Sequence, residues 1–399
     1  MTVHSGRFGR DDRAVDRWPR LPFEVPAGCA GLTVTLTYDR GGGAVLDLGC
    51  EGADGWRGWS GGARDSYVIT PSAATPGYLP GPLEPGEWHV VLGLHRVPAD
   101  GVAYRVEVTL GPASVPASAP PPPVPQRRPR RVLPAEPGLR WVACDFHAHT
   151  EHSDGTLTVE QLAARAAARG LDVLAVTDHN TTSHFRSLPA ASARYGVHLL
   201  PGQEITTDLG HANAFGELPW VDFRRPADTW RAAVDAAGGL LSVNHPLAAD
   251  FGWVHPLAEP PALAEVWHWS WLDRRWTGPL AWWRAAGLGV IPLGGSDFHV
   301  PGEGAELGSP VTWVAVRSVS TEGVLDGLRA GRTAVGPAVD GPVALRLGPD
   351  VVVLDGDGAL LLGPDGERRP VRSASASFPA GPGGHVLIDP DGVVLALCG

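Results

Sequence analysis

The sequence predicts an α/β protein in three parts: an N-terminal β-sandwich, a central array of strand–helix units that can close into a barrel, and a short β-rich C-terminal segment. Three patterns carry this reading. Short strand-like runs without a helical period fill the first part of the chain. From Arg140 onward, apolar strands alternate with helical stretches. After residue 338, strands return between GDG and PDG turns.

In the first part, over residues 1–110, LTVTLTYD, AVLDLGC, WHVVLGLH and AYRVEVTL are short, several alternate, and Gly, Pro and Asp clusters separate them. That pattern fits a sandwich. Residues 111–138 include SAPPPPVPQRRPRR and read as a semi-rigid linker, because dense proline excludes helix and ladder pairing. Its RRPRR run is expected to be solvated charge.

The central part, residues 139–338, begins with the buried strand WVACDF. Next comes the helical TVEQLAARAAARG, where Thr158 and Gln161 form a capping-box signature and Gly170 a stop. LDVLAVTDH, VHLLPGQEITT, GLLSVNHP, ALAEVWHW, VIPLGGSDFH and VTWVAVRS read as further strands, with helices ADTWRAAVDAAG, GPLAWWRAAG and TEGVLDGLRAG among them. Strands alternating with helices of this length mean βαβ units. Residues 339–399 form the β-rich tail.

Composition narrows the function. The chain has 399 residues, too long for one typical core, with 43% hydrophobic and 19% charged residues. A net charge of −11 argues against broad nucleic-acid binding, which needs Lys and Arg to displace counterions. Four scattered cysteines without a CxxC pair argue against a disulfide framework or zinc knuckle. No apolar run long enough to span a membrane occurs, and MTVHSGRFGRDDRAVDRWPR lacks a signal-peptide core, so a cytoplasmic location is expected.

The chemistry lies in the histidines. Of the 15, eleven fall between His147 and His299. His147, His149, His179, Glu204, His245, Asp297 and His299 each sit at or just past the C-terminal end of an expected strand. In a closed β/α barrel those ends converge on the catalytic face. In HAH the two imidazoles are separated by one residue, so on an extended strand they point the same way. SDFH repeats that spacing with Asp297 and His299. A single strand-end histidine is more often a hydrogen-bonded polar residue than a ligand. Many of them on one expected face are a metal centre, since packing would have to satisfy each separately. His and carboxylate donors suit Zn, Mn or Fe.

The ordered blocks HAH…HSDG, TDHN, GQE, GHAN, NHP and GSDFH resemble the PHP (polymerase and histidinol phosphatase) domain, over about Val142 to Pro337. GQEITT with GHAN, and NHP after a glycine pair, resemble its CehA/McbA branch. The resemblance implies a distorted (β/α)7 barrel with two or three divalent ions at the strand ends. It implies that His147, His149, Glu204 and Asp297 hold a first ion. Glu204 bridges to a second held by His211 and His245. Asp154, His179 and His299 hold a third, with His152 an alternative to Asp154. Degenerate members of the family lose these residues, and this chain keeps all of them.

A metal-activated water is hydroxide near neutral pH, so such a centre hydrolyses esters. The expected substrate is a small phosphate ester. The alternatives are a carbamate or carboxylic ester, or, in another class, a non-catalytic binding scaffold. His179, His299 and Asp178 are the candidate catalytic residues, and Asp178 either orients His179 or caps a turn. Six tryptophans lie between Trp267 and Trp283. His268, Trp269 and Trp271 are the candidate substrate contacts, against the ordinary reading that aromatic stripes are core. Trp56 and Trp59 are the residues through which the sandwich would act as a targeting module, or simply its loop anchors. His198 reads as structural, and His184 and His255 as loop residues.

Overall fold

The computed structural model describes residues 1–287 and 289–399. The chain divides into two compact units, the first comprising residues 1–120, 150–158 and 178–186, the second residues 121–149, 159–177 and 187–399.

The first unit opens with β1 (Thr2–Phe8), a short helix α1 (Arg10–Val15), β2 (Arg20–Val25), β3 (Leu32–Tyr38), β4 (Val45–Gly52), β5 (Gly55–Gly61), β6 (Ser66–Ile69), β7 (Gly86–Arg96) and β8 (Val102–Leu110). They form two four-stranded antiparallel sheets, ordered β1-β8-β3-β6 and β2-β7-β4-β5. Alternation explains the strands: Leu32, Val34 and Leu36 of β3 point inward, with Val106 and Val108 of β8. Both sheets share one core, containing Trp88, Tyr67, Tyr78 and Leu48.

The second unit begins with β9 (Arg140–Asp145), α2 (Val159–Arg169) and β10 (Val173–Val176). Helix α2 ends at Gly170, whose φ of +86° suits the left-handed cap that glycine adopts most easily. Then come α3 (Leu188–Tyr195), β11 (His198–Thr207), β12 (Gly210–Phe215), α4 (Ala227–Ala236), β13 (Leu240–Val243), β14 (Leu263–His268), α5 (Gly278–Ala286), β15 (Ile291–Gly295), β16 (Val311–Val316), α6 (Thr321–Arg329) and β17 (Thr333–Gly336). Helix α3 was not expected from the sequence. It buries Leu188, Ala191 and Tyr195 and stops at Gly196.

The expected closed (β/α)7 ladder is not formed among the described residues. The hydrogen-bonded order β15-β14-β13-β12-β11-β10-β9-β16-β17 is open. The tight β11–β12 turn pairs Thr207 with Gly210 and sets β12 antiparallel to β11 and β13, and β16 lies antiparallel to β9 and β17, whereas β9-β10-β11 and β13-β14-β15 pair in parallel. Beside β15, the Thr312 hydroxyl of β16 takes up both polar groups of Gly294, accepting from its N–H at 2.8 Å and donating to its C=O at 3.0 Å. Among the described residues β15 and β16 are thus joined by this side-chain bridge and form no ladder. The tail strands β18 (Val343–Leu347), β19 (Asp350–Leu354), β20 (Leu360–Leu362), β21 (Arg368–Pro370), β22 (Ser375–Pro379), β23 (His385–Ile388) and β24 (Val394–Cys398) follow. Of these, β24, β23, β20 and β21 extend the central sheet beyond β17, and β18-β19-β22 form a separate one.

The RRPRR run is only partly the solvated charge expected: Arg128 and Arg130 are exposed, yet three of its arginines make ion pairs. Arg127 and Arg130 pair with Asp172 at 2.9 and 2.7 Å, and Arg131 pairs with Asp355. Asp172 is buried, and a buried carboxylate needs such partners. All four cysteines are free.

Candidate metal centre

In the second unit the chain leaves β9 as Phe146–His149 and leaves β15 as Ser296–His299. These exits run side by side: Ala148 bridges Phe298, and His149 donates its N–H to the Phe298 carbonyl at 2.9 Å. Asp145 ties them at the base, accepting from the backbone N–H groups of His147, Ser296 and Gly308 at 3.3, 3.1 and 2.8 Å. Burial pushes this carboxyl up to about 6, against those bonds.

The frame brings together the donors that the spacing predicted. His147 and His149 project alike, with ring centroids 5.1 Å apart. His147 Nε2 lies 3.1 Å from both Glu204 Oε1 and Asp297 Oδ1. His149 Nε2 lies 3.0 Å from Asp297 Oδ1 and 3.5 Å from Glu204 Oε2. Glu204, on β11, also meets His211 Nδ1 from β12 at 3.1 Å and His245 Nε2 at 3.5 Å. His147, His149 and Glu204 are 0% exposed, whereas the side chains of Asp297, His211 and His299 keep 13%, 16% and 28% of their surface, so one side of the cluster is open. His299 stacks on His149 at 4.1 Å. His245 and Asp297 adopt φ of +28° and +48°, a region that few non-glycine residues enter, though Asp and His do so more readily than most.

These residues fit a divalent cation. His147 Nε2 is buried and makes no hydrogen bond, although two carboxylate oxygens lie 3.1 Å away. Ligand atoms each about 2.0–2.2 Å from one ion stand roughly 3 to 3.5 Å from one another, which is the spacing here. His147, His149, Glu204 and Asp297 form one candidate set, and Glu204, His211 and His245 a second that shares the glutamate.

A further residue, Glu265 on β14, was missed from the sequence. Its Oε1 lies 3.1 Å from His147 Nδ1, and its Oε2 accepts the His245 N–H at 3.0 Å. It is buried, and an acid inside the apolar strand ALAEVWHW was the available signal. Such a carboxylate would favour the tautomer that leaves Nε2 free to hold a bound ion. Asn244, noted only within NHP, donates to Glu204 Oε1 at 2.8 Å. Replacing Glu265 by Gln is expected to weaken metal retention about 10–100-fold, read by chelator competition. An unchanged competition curve would deny Glu265 that role.

The electrostatics of the metal-free cluster have a testable sign. Burial alone would lower His147, but the Asp297, Glu204 and Glu265 carboxylates prevail and raise it well above 6.5. Burial alone would raise Asp297, but His147 and its neighbours hold it well below 3.8. The His147 contribution is therefore complete below 6.5 and fades as pH rises through its folded value. That of Asp297 is present above 3.8 and disappears only as pH falls through its depressed value. Chelator-treated protein should need less urea to unfold at about pH 9 than at about pH 7. Metal-loaded protein should not show this loss, because ligands bind metal deprotonated.

His268, a candidate substrate contact, is buried with Nε2 3.3 Å from Asp297 Oδ2 and Nδ1 2.7 Å from Ser270 Oγ. Trp271 packs in the core with Trp267 and Trp283, its indole N–H on the Trp276 carbonyl at 2.9 Å. Trp269 is half-buried, 5.6 Å from His268. Phe251, not singled out in the sequence, lies against His245, His211 and His268 at 4.7, 6.1 and 6.3 Å and forms an apolar wall. His198 meets Thr321 and His255 meets Thr207, at 3.2 and 2.7 Å.

In the first unit, His179 Nε2 lies 3.5 Å from Asp154 Oδ1. Asp178 accepts from Thr150 N and Ser153 Oγ at 2.8 and 2.7 Å through Oδ1, and from Thr150 Oγ1 at 2.7 Å through Oδ2. His184 Nδ1 is 3.1 Å from the same Oδ2. These bonds direct the Asp178 carboxylate to the 150–153 loop. His152, the alternative to Asp154, places Nδ1 2.7 Å from Ser183 Oγ, and burial lowers it to about 4.

With these donors placed, the comparison with known proteins becomes specific. Residues 145–240 match the PHP domain. The PHP segment therefore contains His147, His149, Glu204 and His211, and stops short of His245, Asp297 and His299. Over 100 residues the chain is 42% identical to the 3',5'-nucleoside bisphosphate phosphatase of Chromobacterium violaceum, covering 25% of this chain and 32% of that protein. Over 64 residues it is 39% identical to a 5'-3' exoribonuclease of Haemophilus influenzae, covering 16% of this chain and 23% of that one. The chain thus spans about a third or less of these curated relatives. A two-domain protein of Bacteroides vulgatus containing a predicted PHP-like metal-dependent phosphoesterase aligns at a TM-score of 0.44 and 17% identity, over 69% of this chain and 91% of that one. No helix among the described residues is long and apolar enough to cross a membrane.

Proposed function

We propose that the protein is a metal-dependent hydrolase of a small phosphate ester. One observation carries the reading: His147 Nε2, buried and without a hydrogen bond, faces two carboxylate oxygens at 3.1 Å. The PHP match and the phosphoesterase names of the relatives support a phosphoester, and the acidic net charge favours a small substrate over a long nucleic acid. The GQEITT–GHAN hairpin, which delivers His211 beside Glu204, supports the CehA/McbA branch. The Thr312 bridge from β16 to β15 supports a distorted PHP-type barrel around the site.

Divalent ions, when bound, supply a nucleophile at neutral pH and neutralise charge on the ester oxygens. His147, His149, Glu204 and Asp297 would hold one, and Glu204, His211 and His245 a second. Asp154 and His179 would serve a third. Glu265 holds the His147 tautomer, and Asn244 orients Glu204. The 28% exposure of the His299 side chain supports a role toward substrate or leaving group.

A second reading, hydrolysis of an aryl carbamate or carboxylic ester, draws on the apolar wall of Phe251. Purified protein loaded with manganese or zinc should be offered an aryl phosphodiester and a 1-naphthyl carbamate side by side, with His147→Ala as blank. Phosphodiester turnover is expected. Carbamate turnover alone would move the attack to carbon, and no turnover across a broader phosphoester panel would favour a binding scaffold.

A further inference from the structure

Within the first unit, the segments that carry Asp154 and His179 are held by side chains and backbone of the N-terminal sheets. Arg64 follows β5. Its Nη1 donates to the Ser153 carbonyl at 3.0 Å, and its Nη2 donates to the Glu151 carbonyl. The 150–153 loop is thus held from two sides. Asp178 collects its donors, and Arg64 collects its acceptors. Asp154 is the next residue in the chain.

A second clamp acts on the other segment. The Gly77 N–H donates to Ser183 Oγ at 3.1 Å, and its carbonyl accepts from Thr181 Oγ1 at 2.8 Å. Thr181 lies two residues past His179, and both Thr181 and Ser183 are buried. The corner bearing Gly77 is itself fixed: Trp59 N–H donates to the same carbonyl at 3.1 Å, and the Tyr78 hydroxyl reaches Ser60 Oγ and the Leu48 carbonyl at 2.9 and 3.0 Å. Only glycine fits there. Its φ is +100°, and a Cβ would stand 2.7 Å from Trp59 O and 2.8 Å from His152 O.

The Arg64 fork and the Gly77 peptide thus fix the two segments that carry the candidate ligands Asp154 and His179. We infer that the N-terminal sheets hold the segments of the candidate ligands Asp154 and His179, with Arg64 and the Gly77 corner as positioning residues for both. This rests on the metal-hydrolase reading above. It makes the sheets a determinant of how tightly one ion is kept.

The test uses the full chain, stripped of metal and titrated with manganese, following bound metal and turnover of the substrate that wild type accepts. Arg64→Ala should bind its weakest ion about 10–100-fold less tightly, keep the ions of His147 and Glu204, and lose kcat at limiting manganese. Excess manganese should restore kcat, which it would not do for a general folding defect. Arg64→Lys should fall between the two, since one ammonium can reach a carbonyl but lacks the planar fork. Thr181→Val, nearly the same shape, should shift the same ion in the same direction and carries the test if Arg64→Ala does not fold. Manganese isotherms that match wild type in the folded variants overturn the inference. Wild-type protein that binds no manganese or zinc overturns the underlying reading itself, so the two failures are distinct.

Discussion

His147→Ala is expected to lose both its tightly held metal and turnover, with the rate falling on the order of 10³-fold or more, since ion-based stabilisation amounts to several kcal/mol. Position is the reason. His147 Nε2 faces Glu204 and Asp297 together, and Nδ1 faces Glu265, so one ring connects three carboxylates. Its removal deprives the first candidate set of a donor and leaves Glu265 buried without its nearest cation partner. Isolating a buried charge in this way costs about 3–5 kcal/mol. The metal-free variant should therefore also unfold at lower urea than metal-free wild type. Metal analysis after gel filtration, turnover on the preferred ester and urea melts in chelator read the three consequences. A variant with full metal content and rate would remove His147 from the centre.

Much of this centre was legible in the sequence because it obeys local geometry. HAH places two imidazoles on one side of an extended segment, and the structure keeps them 5.1 Å apart. SDFH sets Asp297 just past the end of β15, as the strand-end pattern expects, whereas His211, on the β11–β12 hairpin, was signalled only by the resemblance of GHAN. What remained hidden depends on contacts between distant residues. Glu265 sits mid-strand, where no strand-end rule looks, and only its charge in an apolar run signals it. Arg64 and Gly77 meet residues 87 to 106 positions away, and no periodicity encodes that. The strands were legible from alternation and apolar runs, but closure of the sheet was not. The link between β16 and β15 runs through the Thr312 hydroxyl, a single side chain within VTWVAV that no alternation encodes.

Glu204→Gln should be nearly as damaging, and it separates charge from shape. Gln keeps the volume and one oxygen, so the buried pocket at β11 is not emptied. It replaces the other oxygen with an NH2 group, which donates hydrogen bonds and offers no lone pair to a cation. At Glu204 that loss falls at a junction: His147, His211 and His245 all lie within 3.5 Å of Oε1, and His149 lies 3.5 Å from Oε2. The two candidate ion sets share only this residue, so a neutral side chain cannot serve both. The expected result is one ion fewer per chain by metal analysis and a rate lower by about 10²–10³-fold. In chelator the same variant should show a weaker loss of stability between about pH 7 and about pH 9, because one of the carboxylates that raises His147 is gone. The stability arm separates two explanations of a dead enzyme. A variant that loses its ion but keeps the wild-type pH slope would mean that Glu204 binds metal without governing His147. A variant that keeps all its metal and its rate would mean that the glutamate is not the bridge, and the two sets would have to be assigned as independent sites.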